Sequence, residues 1–136
     1  MALTTLLYNV ARNASLDAGG ITALLANGII QVRSGAQPAA EDALTGTVVA
    51  TLTFGATALG SALAGVATAN AIASDTNAVG GTAGYCALLK SDATTVVCTG
   101  SVGTSGANMN LATLTISAGV TVSCSALTIT VPAQGA

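Results

Sequence analysis

The stretch Thr47-Val48-Val49-Ala50-Thr51-Leu52-Thr53-Phe54 decides the fold class, because two kinds of side chain alternate along it. Val48, Ala50, Leu52 and Phe54 fall on one face of an extended chain, and the threonines fall on the other. This period of two predicts a β-strand with one buried face. The stretch lies within residues 43–74, a charge-free segment long enough to cross a membrane as a helix. The alternation favours the strand, and we expect no membrane span.

Other short runs rich in β-branched residues follow, separated by Gly, Ser, Asn and Asp. This layout is typical of a mainly β protein, and we assign residues 29–136 to an antiparallel β-sandwich or barrel-like domain. The predicted strands are Ile29–Arg33, Val48–Phe54, Val66–Ile72, Gly84–Lys90, Thr94–Thr99, Leu111–Ile116 and Val120–Val131.

The last of these strands carries an irregularity in its apolar pattern. Val120, Val122 and Cys124 share one phase, and the pattern resumes at Leu127 one residue out of step. Since a shift of one residue would turn the apolar side chains outward, a bulge or break near Ser125-Ala126 is predicted.

One strand pairing is predicted from sequence alone. The run ending at Lys90 turns at Ser91-Asp92-Ala93 and returns from Thr94. A hairpin with this three-residue loop would set Lys90 opposite Thr94 and Cys86 opposite Cys98.

Residues 1–28 are predicted to form an N-terminal arm and helix. Asn27-Gly28 is a suitable helix stop, and Gly19-Gly20 would kink or split the element. The segment shows no secretory signal, so we expect synthesis in the cytoplasm. From Thr5 to Asn27, apolar residues recur at helical spacing, at Leu7, Val10, Ala14, Ala18, Ile21 and Leu25.

The composition excludes some partners and favours others. Lys and Arg total 3 and only 6% of residues are charged, so the chain lacks the cations that neutralise nucleic-acid phosphates. With 29 Ala, 20 Thr and 16 Gly, most side chains are too small to bury much apolar area each. Because extra interfaces would supply the missing burial, assembly into a homo-oligomer is predicted.

Catalytic chemistry is not expected. Without histidine there is no imidazole base, no Ser-His or Cys-His couple and no ordinary zinc site. Glu41-Asp42 are the only adjacent carboxylates, and they are interpreted as solvated loop residues. We therefore predict no catalytic, cofactor-binding or metal-binding residue, and no enzyme.

The cysteines and the glycine segments receive structural interpretations. Cys86, Cys98 and Cys124 lie in apolar runs without a C-x-x-C spacing, so packing in the core is favoured; a Cys86–Cys98 disulfide is the alternative. Gly80-Gly81 and residues 100–106 lack the Gly-Lys-Ser/Thr of a phosphate-binding loop and are interpreted as turns.

Several stretches spread over nearly the whole chain carry a resemblance to known proteins. They are Ala11-Arg12-Asn13-Ala14, the segments 30–39 (IQVRSGAQPA) and 100–111 (GSVGTSGANMNL), and 116–122 (ISAGVTV) and 127–132 (LTITVP). With these stretches the chain resembles a family of small structural proteins of tailed bacteriophages. It departs from the family pattern at Ala93, where a Gly commonly follows Asp in the hairpin turn, and at Cys86 and Cys98, where bulkier residues are common.

The resemblance implies a virion protein, and capsid decoration is the favoured role. Such cement proteins bind the major capsid protein at capsomer junctions, often as trimers, and the expected location is the capsid surface. Two alternatives remain at this point: a tail, fibre or head-fibre component, and a small membrane protein built on residues 55–72. A host-binding tip would normally expose aromatic residues, and this chain has two Tyr and one Phe.

Overall fold

The computed structural model describes residues 6–7, 20–60 and 66–130. These residues form one short helix and eleven strands. In chain order the elements are β1 (Leu6–Leu7), α1 (Gly20–Leu24), β2 (Ile29–Arg33), β3 (Val48–Phe54), β4 (Val66–Thr68), β5 (Ile72–Ala73), β6 (Gly81–Thr82), β7 (Tyr85–Leu89), β8 (Val96–Gly103), β9 (Met109–Leu111), β10 (Thr115–Ile116) and β11 (Cys124–Thr130).

The main sheet has nine strands and curls into a half-barrel, which confirms the predicted mainly β, barrel-like class. Its order is β4-β11-β9-β8-β7-β2-β3-β5, and β1 pairs with β8 beside β9. Neighbouring strands are antiparallel, with one parallel pair, β8 and β9. Strands β6 and β10 form a separate two-stranded ladder.

The prediction of one strand over Val66–Ile72 is wrong, because this segment changes partner. Strand β4 pairs with β11 at one end of the sheet, whereas β5 pairs with β3 at the other end. Asn70 lies between them; its backbone N–H donates to Ala58 O (2.9 Å) and its Nδ2 donates to Thr57 O (3.0 Å). The two end strands of the sheet are therefore consecutive pieces of one segment.

Strand β3 shows both the strength and the limit of the alternation. Ala50, Leu52 and Phe54 are buried in the main core as predicted, and Thr51 is exposed. Val48 is only partly buried and Val49 is fully buried, because the register with β2 shifts by one residue at this end of the strand. The bulge turns Val49 inward in place of Val48.

Strand β7 is buried on both faces. Cys86 and Leu88 face the main core, and Tyr85, Ala87 and Leu89 form a second cluster on the opposite face. Residues 34–47, which we term the strap, contribute Leu44 to this second cluster. The strap thus covers the outer side of the middle of the sheet.

Among the described residues, the predicted N-terminal helix is present only at Gly20–Leu24. Leu6 and Leu7 form a strand that pairs with Thr99 and Cys98, so the helical interpretation is wrong there. Residues 8–19 lie outside the described residues. Helix α1 begins at Gly20, where the glycine pair predicted a break, and Asn27 with φ of 54° confirms the predicted stop.

The hairpin of β7 and β8 forms, but its predicted register is wrong. Lys90 N–H donates to Thr95 O (3.0 Å), which leaves a four-residue loop with Ala93 at φ of 59°. A further shift between Leu88 and Leu89 sets Cys98 opposite Leu88, and Cys86 opposite Gly100. The longer loop and the bulge together account for the displacement from the predicted Cys86–Cys98 pair.

The glycine segments are only partly turns. Residues 100–103 belong to β8, where a Cβ on Gly100 would meet the side chain of Asn108 at 3.1 Å. Gly80 has φ of 98°, as a turn requires, and Gly81 begins β6. The close approach of Asn108 explains why glycine occupies a strand position that sequence analysis assigned to a turn.

The C-terminal strands confirm one detailed prediction. The register between β11 and β9 shifts between Cys124 and Ala126, at the predicted bulge. The predicted strand bounds are too wide, because Val122 makes only an isolated bridge to Asp75 and residues 112–114 separate β9 from β10.

Asp92 fixes the β7–β8 loop and should make it sensitive to acid. Its carboxylate accepts from the backbone N–H of Thr95 (2.9 Å) and of Thr94 (2.8 Å), and from Thr95 Oγ1 (2.7 Å). These bonds, that from Thr95 N–H foremost, lower the pKa of Asp92 from 3.8 to about 2. Because the folded pKa is depressed, the stabilisation is present above the unfolded pKa and is lost as the pH falls toward the folded pKa.

We therefore expect the Asp92 carboxyl to titrate near the lowered value by NMR. The free energy of unfolding should fall between about pH 4 and 2. Asp92→Asn is the control, and it should lose part of this pH dependence. A carboxyl midpoint at the ordinary value of 3.8 would contradict the assignment.

Candidate functional site

Two of the described charged residues, Arg33 and Asp75, bind the backbone of neighbouring loops. Arg33 donates from Nε to Thr45 O (3.0 Å) and from Nη2 to Gly46 O (3.2 Å), which ties the strap to β2. Asp75 accepts from the backbone N–H of Thr51 (2.8 Å) and of Asn77 (2.9 Å). Both side chains thus act as internal anchors of loop backbone.

The acidic pair considered in the sequence lies on the strap. Glu41 and Asp42 are exposed there, and Glu41 has φ of 70°. Within residues 6–7, 20–60 and 66–130, no group of three or more His, Cys, Asp or Glu side chains could hold a metal ion.

All three cysteines are free thiols, so the alternative of a Cys86–Cys98 disulfide is not observed. Cys86 and Cys98 are buried in the main core, and Cys124 is partly buried. Burial raises the pKa of Cys86 to about 12, and raises the pKa of Cys98 and Cys124 as well. A buried thiol with a raised pKa is a poor nucleophile.

This environment predicts selective labelling by thiol reagents. At pH 8 the native protein should react at Cys124 at most, whereas the denatured chain should react at all three cysteines. Rapid labelling of Cys86 in the native state, detected by peptide mapping, would contradict the burial. Cys124→Ala provides the control for the accessible thiol.

Replacing the three cysteines together by Ala should lower the free energy of unfolding by about 1–3 kcal/mol through lost packing.

The described surface contains a concave site formed where the chain leaves the main sheet. Leu111 and Cys124 pair at the adjoining ends of β9 and β11, and residues 112–123 make an excursion between them. This excursion lies alongside residues 75–83, which we term the ribbon. The pairing is carried by Asp75 with Val122, Gly81 with Ile116 and Thr82 with Thr115.

Backbone hydrogen bonds hold the ribbon and the excursion together along their length. Ala83 N–H donates to Leu114 O (2.8 Å), Gly119 N–H to Ala78 O (2.8 Å) and Val122 N–H to Asp75 O (2.7 Å). The backbone of the excursion is therefore held in place by the ribbon.

The space inside the excursion is a cup of about 320 Å³. Leu111, Ile116 and Val122 line the cup and are almost fully buried. Threonine and serine residues alternate with them along the lining. None of the lining residues is charged; they are Leu111, Ala112, Thr113, Thr115, Ile116, Ser117, Val120, Thr121, Val122 and Ser123.

Sequence analysis missed the cup because it assigned two of its walls to regular strands. The residues that could have indicated it are Ala118-Gly119, which interrupt the apolar run, and Gly119 has φ of 82°. A second, smaller opening of about 240 Å³ lies between Ala69–Ile72 and Cys124–Leu127, where the chain that follows β4 leaves β11 to reach β5.

Large apolar side chains also reach the surface near the cup. In the described part of the chain the exposed large hydrophobic residues are Val66, Val79 and Val120. Val120 lines the cup and Val79 lies on the ribbon beside it, since Ala78 N–H donates to Val120 O (3.1 Å). The cup, with Val120 in its lining, is an uncharged apolar and hydroxyl surface, which is suited to contact with another macromolecule.

Comparison with known proteins finds no matching family model, no matching curated protein and no matching solved structure. Among the described residues, no helix is long and apolar enough to span a membrane.

Proposed function

We propose that this protein is a capsid decoration, or cement, protein of a tailed bacteriophage. In this proposal it binds the major capsid protein at junctions between capsomers and stabilises the icosahedral shell. It acts on the virion surface as a homo-oligomer, for which a trimer is favoured. It has no catalytic role, no cofactor, and no nucleic-acid or membrane partner.

The observation that carries the proposal is the uncharged surface at the cup. A surface of apolar and hydroxyl side chains, with no charged lining residue, offers burial and hydrogen bonding to a partner. The resemblance to phage structural proteins supplies the kind of partner.

The small side chains give the proposal an energetic basis. A chain with 29 Ala and only three aromatic residues buries modest apolar area per residue, at about 25 cal/mol per Å². Contact with neighbouring subunits adds apolar burial, and binding to the assembled shell stabilises the state that is bound. Because the protein would bind the assembled shell and not its separated subunits, binding would shift the equilibrium toward the assembled shell.

Copy number per particle tests the proposed location. Quantitative mass spectrometry of purified particles should find hundreds of copies, and particles stripped of tails should retain them. A few copies, or a few dozen, recovered with purified tails would contradict decoration and favour the tail or fibre alternative.

A further inference from the structure

Asn27 and Gly28, which end helix α1, form a residue pair that is prone to spontaneous deamidation. In that reaction the backbone nitrogen of the second residue attacks the side-chain carbonyl carbon of the asparagine. Glycine hinders this nitrogen least, because it carries no Cβ. Among the asparagines of the chain, Asn27 alone is followed by glycine. The helix stop therefore contains the asparagine at which deamidation is expected first.

The fold restricts both positions to a few residue types. Asn27 has φ of 54°, a left-handed conformation that glycine adopts routinely and asparagine or aspartate adopts occasionally. A Cβ on Gly28 would lie 2.5 Å from Leu89 O and 2.8 Å from Leu25 O, so no larger residue fits there. The reactive pair is thus a consequence of the turn from α1 into β2 and of the close approach of β7.

The native backbone around the pair opposes the reaction. Gly28 is buried, and its N–H, the group that must lose a proton, donates to Leu25 O (2.7 Å). On one side of the pair, Asn27 N–H donates to Gly55 O (2.9 Å). On the other side, Gly28 O accepts from Phe54 N–H (2.9 Å). The attack needs a rotation of this backbone and loss of the amide proton, and both disrupt these hydrogen bonds.

We propose that Asn27 is a modification site that the native fold protects and that reacts when the helix stop opens. In the opened chain, Gly28 N bonds to Cγ of Asn27, and the side-chain amide leaves as ammonia with the proton of Gly28 N. Solvent water then opens the resulting five-membered succinimide ring, which gives aspartate or isoaspartate. No oxidant or reductant is needed, and water is at hand because the Asn27 side chain is exposed.

The isoaspartate product should not fit the native turn. It routes the main chain through the former side chain and so adds one backbone atom before Gly28. In β2, which follows directly, Ile29 lies opposite Thr53 and Leu89. A chain modified in this way should fail to recover this pairing at full stability, so the modification would make unfolding irreversible. The inference goes beyond the proposed function and concerns the free protein.

Peptide mapping by mass spectrometry tests the protection. The purified protein is incubated at mildly alkaline pH, either native or in guanidinium chloride, and isoaspartate at position 27 is followed with time. Asn77 is the internal comparison, because it is exposed but followed by Ala, and trypsin cleavage at Arg33 separates it from Asn27.

The denatured chain should convert at Asn27 before it converts at Asn77. The native chain should convert at Asn27 at least about tenfold more slowly than the denatured chain, which corresponds to about 1.4 kcal/mol for opening the turn. Equal rates at Asn27 in native and denatured protein would overturn the proposal. Faster conversion of Asn77 than of Asn27 in the denatured chain would also overturn it.

Asn27→Gly is the matched control for the consequence of the reaction. Glycine keeps the left-handed turn but has no amide to react. With a reductant present to keep the three cysteines as thiols, this variant should refold fully after long incubation in denaturant. The unmodified chain should lose refolding yield in step with the appearance of isoaspartate at position 27.

Asn27→Asp separates the new charge from the altered backbone. It carries the carboxylate on a main chain of normal length, and it should refold as the unmodified chain does before incubation. An equal loss of refolding yield in Asn27→Gly and in the unmodified chain would contradict the assigned cause of irreversibility. Each of these measurements uses the free protein, so none depends on the proposed function.

Discussion

Replacing Gly46 by Ala is expected to lower the free energy of unfolding by about 3 kcal/mol. Gly46 lies in the strap with φ of 67°, and a Cβ there would overlap the carbonyl oxygen of Ser34. Ser34 cannot easily move away, because its N–H donates to Thr47 O (3.0 Å) and its Oγ accepts from Thr47 N–H (3.0 Å). The substitution therefore combines backbone strain with steric overlap.

Gly106→Ala separates these two contributions. Gly106 has nearly the same φ, 70°, but a Cβ there would meet no atom within 4 Å. Only the backbone strain of a left-handed alanine remains, at about 1 kcal/mol. Urea unfolding of both variants measures their free energies of unfolding, which can be compared if the slopes against urea concentration are equal. Equal losses of stability in the two variants would contradict the tight packing of the strap against Ser34.

Tyr85→Ala is expected to cost about 3–5 kcal/mol, the range for removal of a large buried aromatic side chain. Tyr85 is fully buried in the second cluster on the outer face of β7. Its hydroxyl donates to Thr45 O (2.8 Å) and accepts from Thr45 N–H (2.8 Å). The loss therefore includes both the packing under the strap and the bonds that hold the strap down.

Tyr85→Phe isolates the hydroxyl. The ring stays in place, and Thr45 O still accepts from Arg33 Nε, but Thr45 N–H loses its bond to the hydroxyl. A loss of about 0.5–1.5 kcal/mol is expected for removal of this hydrogen bond, because Thr45 is exposed and its amide can bond to water instead. Hydrogen exchange at the Thr45 amide should also accelerate. An unchanged exchange rate together with unchanged stability would show that the strap is held by other contacts.

Strands β2 and β3 were predictable from sequence because one face of each strand is more deeply buried than the other. The bounds of β2 and β3 agree with the prediction, and the bulge in β11 was visible as a break in the apolar phase. The strand bounds and the bulge can both be predicted from neighbouring residues, because the period of two indicates which side chains enter the core.

Three features could not be predicted from sequence: the β7–β8 register, the partner change between β4 and β5, and the cup. They depend on local backbone geometry or on contacts between distant parts of the chain. The register of β7 and β8 follows from a left-handed Ala93 and a bulge, neither of which changes the apolar pattern. The partner change between β4 and β5 requires Asn70 to bond with Thr57 and Ala58. The cup arises because the ribbon pairs with an excursion more than thirty residues further along the chain.

Rebinding of the purified chain to undecorated phage shells at two salt concentrations tests the proposed function most directly. An uncharged interface should bind equally well at 0.1 M and at 1 M salt, although the Debye length falls from about 10 Å to about 3 Å. Bound protein should also raise the temperature at which the shells disrupt. Saturated binding without any rise in that temperature, or no binding to shells at all, would contradict the proposal.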